Sequence, residues 1–208
     1  DVLVQASNNF MDKAKQDGKP FFVWHNTTRM HVFTFLPPKY QAMMNETTNF
    51  GLEEAGMAQM DDSIGTLLQH VKDIGEEDNT IVIFTTDNGA EVFTWPDGGM
   101  TPFKATKGTT YEGGFRVPAI IRWPGTVKPG TVESAMVSGL DWLPTLAAAA
   151  GNPDIGNQLL KGVELEGRTY KNHLDGYNQL ALLEGKGPSA RHELFYFGGA
   201  KLGAIRID

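Results

Sequence analysis

The sequence predicts an α/β fold built on a mostly parallel sheet. Phe21-Phe22-Val23-Trp24 and Thr80-Ile81-Val82-Ile83-Phe84-Thr85 are short, continuous apolar runs. Strands covered on both faces read this way. Between the runs, Met57, Met60, Ile64, Leu67, Leu68, Val71 and Ile74 recur at helical spacing and predict a helix over 52–74. A long helix joining two buried strands is a parallel crossover unit.

The remaining elements follow in chain order. Residues 1–17 read as the end of a helix with Phe10 and Ala14 turned inward, stopped by Gly18. A loop rich in Thr and Pro runs through Pro37-Pro38. Residues 119–123 read as a third strand, closed by Pro124-Gly125, and 141–150 as an apolar helix ended by Gly151. A weaker helical pattern covers 170–183. Residues 193–197 and 202–207, joined across Gly198-Gly199, read as a hairpin.

Composition narrows the function classes. A chain of 208 residues can bury about 70% of its unfolded surface. Its formal charge of −7 and lack of a basic stripe argue against a nucleic-acid partner. No apolar run reaches the length of a membrane span. There is no cysteine, so disulfides, thiolate metal sites and a cysteine nucleophile are excluded within it. The compartment stays open, and the periplasm or cytoplasm of a bacterium both accommodate such a chain. The chain's abrupt start and its final strand, which stops at Asp208, are expected of a piece of a longer protein.

Two stretches carry chemistry. Thr86-Asp87-Asn88-Gly89 stands where the 80–85 strand should end, and ligands of open α/β sheets bind at carboxyl ends of strands. A carboxylate and an amide oxygen suit calcium or magnesium. Asn-Gly before Val92-Phe93 is also a hairpin signal, which is the competing reading. Downstream, Lys107-Gly108-Thr109-Thr110-Tyr111-Glu112-Gly113-Gly114 places a lysine in a glycine-rich loop that can approach an anion. The alternative is a solvated loop lysine. His31, seven residues after the first strand, can contact an anion or supply a proton, or can be an ordinary loop histidine. His25 reads as structural and His70 as a surface residue. Glu112 and Arg116 are expected to pair with each other. Asp61 and Asp62 border the long helix and read as solvated or capping groups.

These stretches together resemble the type I sulfatases. Pro20-Phe21-Phe22 followed by His31, then the Asp87-Asn88-Gly89 turn, then the Lys107 to Gly114 string, match that family in order and spacing. Trp123-Pro124-Gly125 and Asp141-Trp142-Leu143-Pro144-Thr145-Leu146 are similar to the segments that follow. The bacterial arylsulfatase-like members are the most similar. The resemblance implies an alkaline-phosphatase-like sandwich whose central sheet is incomplete here, with the start of a small C-terminal antiparallel sheet. Residues 1–190 would then be the C-terminal part of the α/β domain, and 191–208 the start of a β subdomain.

The resemblance also implies a sulfate ester as substrate and a calcium ion, with magnesium possible, held by Asp87 and Asn88. His31 and Lys107 would be the catalytic and substrate-binding residues, touching the sulfate. Such enzymes use a formylglycine made from a C/S-x-P-x-R motif. None of the five serines here (Ser7, Ser63, Ser134, Ser138, Ser189) has proline two residues on. The formylglycine, and two further aspartate ligands, are therefore expected in a missing N-terminal half of the same protein, and the chain alone is expected to be inactive. A phosphoesterase or phosphonate monoester hydrolase of the same superfamily is the runner-up. A non-catalytic anion- or sulfated-glycan-binding module is the alternative from another class.

Overall fold

The computed structural model describes residues 2–93, 97 and 99–208; Asp1, the first residue of the predicted opening helix, lies outside them. The chain forms two compact units, residues 1–120 and 121–208.

The first unit opens with α1, Val2–Gln16, which buries Val4, Met11 and Ala14. Ala14 faces inward as expected, but Phe10 is 52% exposed. The buried face is set by the seven- and three-residue spacing of 4, 11 and 14, and Phe10 falls about 100° off it. Gly18 ends the helix region with φ +63°. Ser7 Oγ lies 2.9 Å from His25 Nδ1, so His25 ties the following segment to α1.

Residues 21–24 do not form a strand. A strand exists only as part of a hydrogen-bonded ladder, and among the described residues nothing pairs with this run. Phe22 and Trp24 are left 68% and 79% exposed.

After the short α2, Pro38–Gln41, comes α3, Leu52–Asp73. The helix matches the expected span, but its packed face does not. Ala55, Gly56, Gln59, Ser63 and Val71 are buried, whereas Met57 and Leu68 are exposed. Small residues let neighbouring side chains come close: a Cβ on Gly56 would strike the side chains of Met30 and Thr34. Against α1, Asp12 lies 3.0 Å from His70 Nε2, which makes His70 a helix-to-helix contact, largely shielded from solvent. Asp62 is an exposed partner of Lys39 (2.6 Å) and Tyr40 (2.8 Å), in keeping with a solvated role.

Strand β1, Val82–Thr85, pairs with β2, Ala119–Arg122, in a two-stranded sheet. Between them lies the one-turn helix α4, Glu112–Phe115.

The second unit contains α5, Trp142–Ala149, and α6, Ile155–Lys161. An antiparallel hairpin follows, β3, Val163–Leu165, with β4, Arg168–Tyr170. Its two turn residues, Glu166 and Gly167, both have positive φ (+48° and +75°), the mark of a hairpin turn whose twist matches its strands. The helix expected over 170–183 shrinks to α7, Leu180–Leu183. The stretch before α7 forms no regular element, and its N–H groups bond to side chains. Tyr177 N–H donates to Asp141 (2.8 Å) and Gln179 N–H to Thr145 Oγ1 (2.9 Å). The chain closes with β5, Glu193–Gly198, antiparallel to β6, Lys201–Ile207, as the sequence predicts.

Candidate functional site

Asp87 follows β1 after a single intervening residue, Thr86. The strand's last residue, Thr85, donates through Oγ1 to Pro118 O at 3.0 Å, so the strand end is fastened to the approach of β2. No hairpin forms at Asn88-Gly89. Gly89 N–H donates to Gly114 O (3.1 Å) and not back across a turn. The chain therefore leaves the sheet at Asp87 and turns onto the glycine-rich loop.

That loop is held by short-range bonds of its own. Gly113 N–H donates to Lys104 O at 2.8 Å, and Thr109 Oγ1 to Thr106 O at 2.7 Å. Ala105 has φ +65°, a conformation that costs a non-glycine residue about 1 kcal/mol or more. The two segments meet backbone to backbone. Lys107 N–H donates to Ala90 O (2.9 Å), and a Cβ on Gly89 would overlap Gly113 O. Glycine is required here by close approach.

Three cations lie on this loop. Lys104 sits 4.5 Å from the Tyr111 ring centroid, and Arg116 4.5 Å from that of Phe103. Arg116 also pairs with Glu112 at 3.4 Å, as expected. Lys107 Nζ lies 3.1 Å from Glu91 Oε2, two residues beyond Gly89. Glu91 carries no signal in the local sequence. Ion pairs between two loops leave no period to read.

The donor chemistry fits a hard cation. Asp87 is exposed, and Asn88 Nδ2 donates to Gly89 O at 3.0 Å, which directs its amide oxygen away to accept. Two oxygen donors make part of a calcium or magnesium shell. Among the described residues, no group of three or more His, Cys, Asp or Glu side chains gathers to complete one.

His31 is exposed, in a segment fixed to α3. Arg29 Nε donates to Gln59 Oε1 (3.0 Å), and Thr34 Oγ1 to His31 O (2.7 Å). Among the described residues, no hydrogen bond joins His31 to Asp87, Asn88 or Lys107. Its charged neighbour is Glu53, a 6%-exposed carboxylate in the first turn of α3 whose Oε1 has no hydrogen-bond partner. Burial pushes the Glu53 carboxyl above its ordinary range. The charges of Asp97 and Glu54 add to the rise, and Thr34 and His31 oppose it.

The fold is the alkaline-phosphatase-like α/β fold. The protein-family model named Sulfatase matches residues 1–152. Human arylsulfatase A is 35% identical over 192 residues, covering 92% of this chain and 34% of its own length. Human N-acetylgalactosamine-6-sulfatase is 34% identical over 166 residues, covering 79% and 31%. The crystal structure of the PsFucS1 sulfatase from Pseudoalteromonas sp. superposes with a TM-score of 0.83 at 31% identity, covering 99% of this chain and 38% of that one. The chain belongs to the sulfatase family. It spans about a third of the length of these relatives. Membership implies, in general, a metal ion and a formylglycine in the complete enzyme. Among the described residues, no helix is long and apolar enough to cross a membrane.

Proposed function

We propose that this chain is part of a sulfatase that hydrolyses sulfate esters, and that it supplies one side of the active site. The observation that supports this is the interlock of the Asp87-Asn88 turn with the Lys107 loop. It sets two oxygen donors and an ammonium group on adjoining backbone.

In this reading Asp87 and Asn88 are two ligands of a calcium ion, with magnesium as the alternative. The metal would offset negative charge on the sulfate oxygens. Lys107 stabilises the sulfate through a fixed positive charge. His31 contacts the sulfate or the leaving oxygen and handles its proton. The formylglycine nucleophile lies outside residues 1–208, in the N-terminal half of the same protein. That half is the partner of this chain. Residues 1–190 belong to the α/β domain, and 191–208 begin the small β subdomain.

The test uses the complete enzyme. Asp87→Ala should abolish aryl sulfate hydrolysis and remove calcium measured by elemental mass spectrometry. Full activity with full calcium overturns the metal assignment. Paired aryl sulfate and aryl phosphate substrates decide the chemistry. Faster turnover of the phosphate overturns the sulfatase reading in favour of a phosphoesterase.

A further inference from the structure

We infer that Glu91 is a positioning residue for Lys107: its carboxylate aims the ammonium group across the Asp87-Asn88 turn and sets how tightly the site holds a sulfate before reaction. This inference rests on the placement of Lys107 at the sulfate proposed above. It adds a residue and a role that the family motif does not carry.

Four observations lead to it. Lys107 Nζ and Glu91 Oε2 are 3.1 Å apart, and their side chains are only 30% and 22% exposed. The residue next to Glu91, Ala90, accepts the Lys107 backbone N–H at 2.9 Å, so main chain and side chain are held by one short segment. The loop's other cations are committed elsewhere, Lys104 to Tyr111 and Arg116 to Phe103 and Glu112. Finally, Glu91 stands four residues after Asp87, on the same turn.

The physical reason is lysine's flexibility. Its charge rides on four rotatable carbons, unlike the planar fork of arginine. A half-buried carboxylate removes most of that freedom, which counts in catalysis because charge stabilisation depends on donors fixed before reaction. The same carboxylate repels an incoming anion. Glu91 therefore weakens ground-state sulfate binding while it sharpens the aim of Lys107. Removing its charge should move these two quantities in opposite senses, whereas loss of mere structural support weakens binding and rate together.

The experiment compares Glu91→Gln, Glu91→Asp and Lys107→Ala in the complete enzyme, with an aryl sulfate as substrate and inorganic sulfate as inhibitor. For Glu91→Gln, kcat should fall about tenfold, while the inhibition constant for sulfate falls about threefold, meaning tighter binding. Glu91→Asp keeps the charge and loses the reach. Its kcat should fall, with sulfate inhibition within about twofold of the parent. Unchanged kcat in either variant, or weaker sulfate binding in Glu91→Gln, overturns the inference. If Glu91→Gln fails to fold, Glu91→Asp alone decides through its kcat. Lys107→Ala separates the two claims. If it is crippled while the Glu91 variants are normal, only this inference falls. If it has normal kcat and sulfate inhibition, Lys107 is not at the sulfate and both readings fall.

Discussion

Arg191 and Asp141 form a buried ion pair in the second unit. Arg191 Nη2 donates to Asp141 Oδ1 at 2.7 Å and Nε reaches Oδ2 at 3.0 Å, with side chains 4% and 0% exposed. Ser138 N–H (2.9 Å), Tyr177 N–H (2.8 Å) and Gln179 Nε2 (3.2 Å) donate to the same carboxylate. Thus one aspartate ties α5 to the irregular segment before α7 and to the start of β5.

Removing one partner leaves the other charge buried and unpaired. Asp141→Ala should destabilise the protein by about 3–5 kcal/mol in denaturant unfolding. Burial pushes the Asp141 carboxyl upward, but Arg191, the two backbone N–H groups and Gln179 outweigh it and hold it below the ordinary carboxylate range. A depressed carboxylate contributes stability that is complete above its unfolded value, about pH 4, and is lost as pH falls below it. Asp141→Asn should remove that part of the acid sensitivity. An unchanged unfolding curve between pH 5 and 2 would refute this account.

Glu53 has the opposite sign. Its carboxyl is raised by burial and by nearby Asp97 and Glu54. The folded state therefore holds the proton more tightly, and stability is lost as pH rises through the raised value. Glu53→Gln should stabilise the protein by about 1 kcal/mol at pH 8 and by less at pH 5. The measurement is thermal unfolding at both values. Destabilisation at pH 8 would show that the charge is paid back by a partner.

Gly113 tests the interlock. A Cβ there would overlap Ala105 O, which is backbone and cannot swing away. Gly113→Ala should cost about 1–3 kcal/mol. In the complete enzyme it should cut sulfatase activity far more than a substitution such as Gly65→Ala, where α3 leaves open space for a Cβ. Equal activity in the two variants would dismiss the interlock.

The fourth prediction concerns surface. Phe22, Trp24, Phe33 and Phe35 are 68–80% exposed within the first unit. Exposed apolar surface of this kind favours association. Residues 1–208 alone should be silent toward aryl sulfates and should bind a hydrophobic dye or self-associate. Trp24→Ser with Phe35→Ser should reduce that association by size-exclusion chromatography. Genuine turnover by the purified 208-residue chain would show that the nucleophile has been wrongly placed.

How much of this was legible in the sequence depends on the range of the forces involved. The α3 helix was readable because 22 residues of good helix formers speak for themselves, yet its packed face was not. The stripe of Met57 and Leu68 reads as the core, while Ala55, Gly56 and Ser63 are the buried positions, since what packs depends on the segment laid against the helix. The 21–24 run shows the reverse: its apolar character was plain, but ladder partners lie outside any local signal. The Glu166-Gly167 turn lacks the Asn-Gly or Asp-Gly pair that marks such a hairpin in sequence. The irregular stretch before α7 could not be read, because Asp141 and Thr145, more than 30 residues away, hold it. Of the candidate site, the turn and the lysine loop were legible as motifs. The Glu91 contact and the buried Glu53 arise only when distant segments meet.

The paired bonds between turn and loop have a thermodynamic corollary. Gly89 N–H to Gly114 O and Lys107 N–H to Ala90 O run in opposite directions across one seam, so neither segment can shift without dragging its neighbour. In the site proposed above, a cation drawing on Asp87 and an anion drawing on Lys107 would act on the same seam. Linkage makes such communication reciprocal. On the assignments proposed above, metal affinity and anion affinity would be coupled through one mechanical joint.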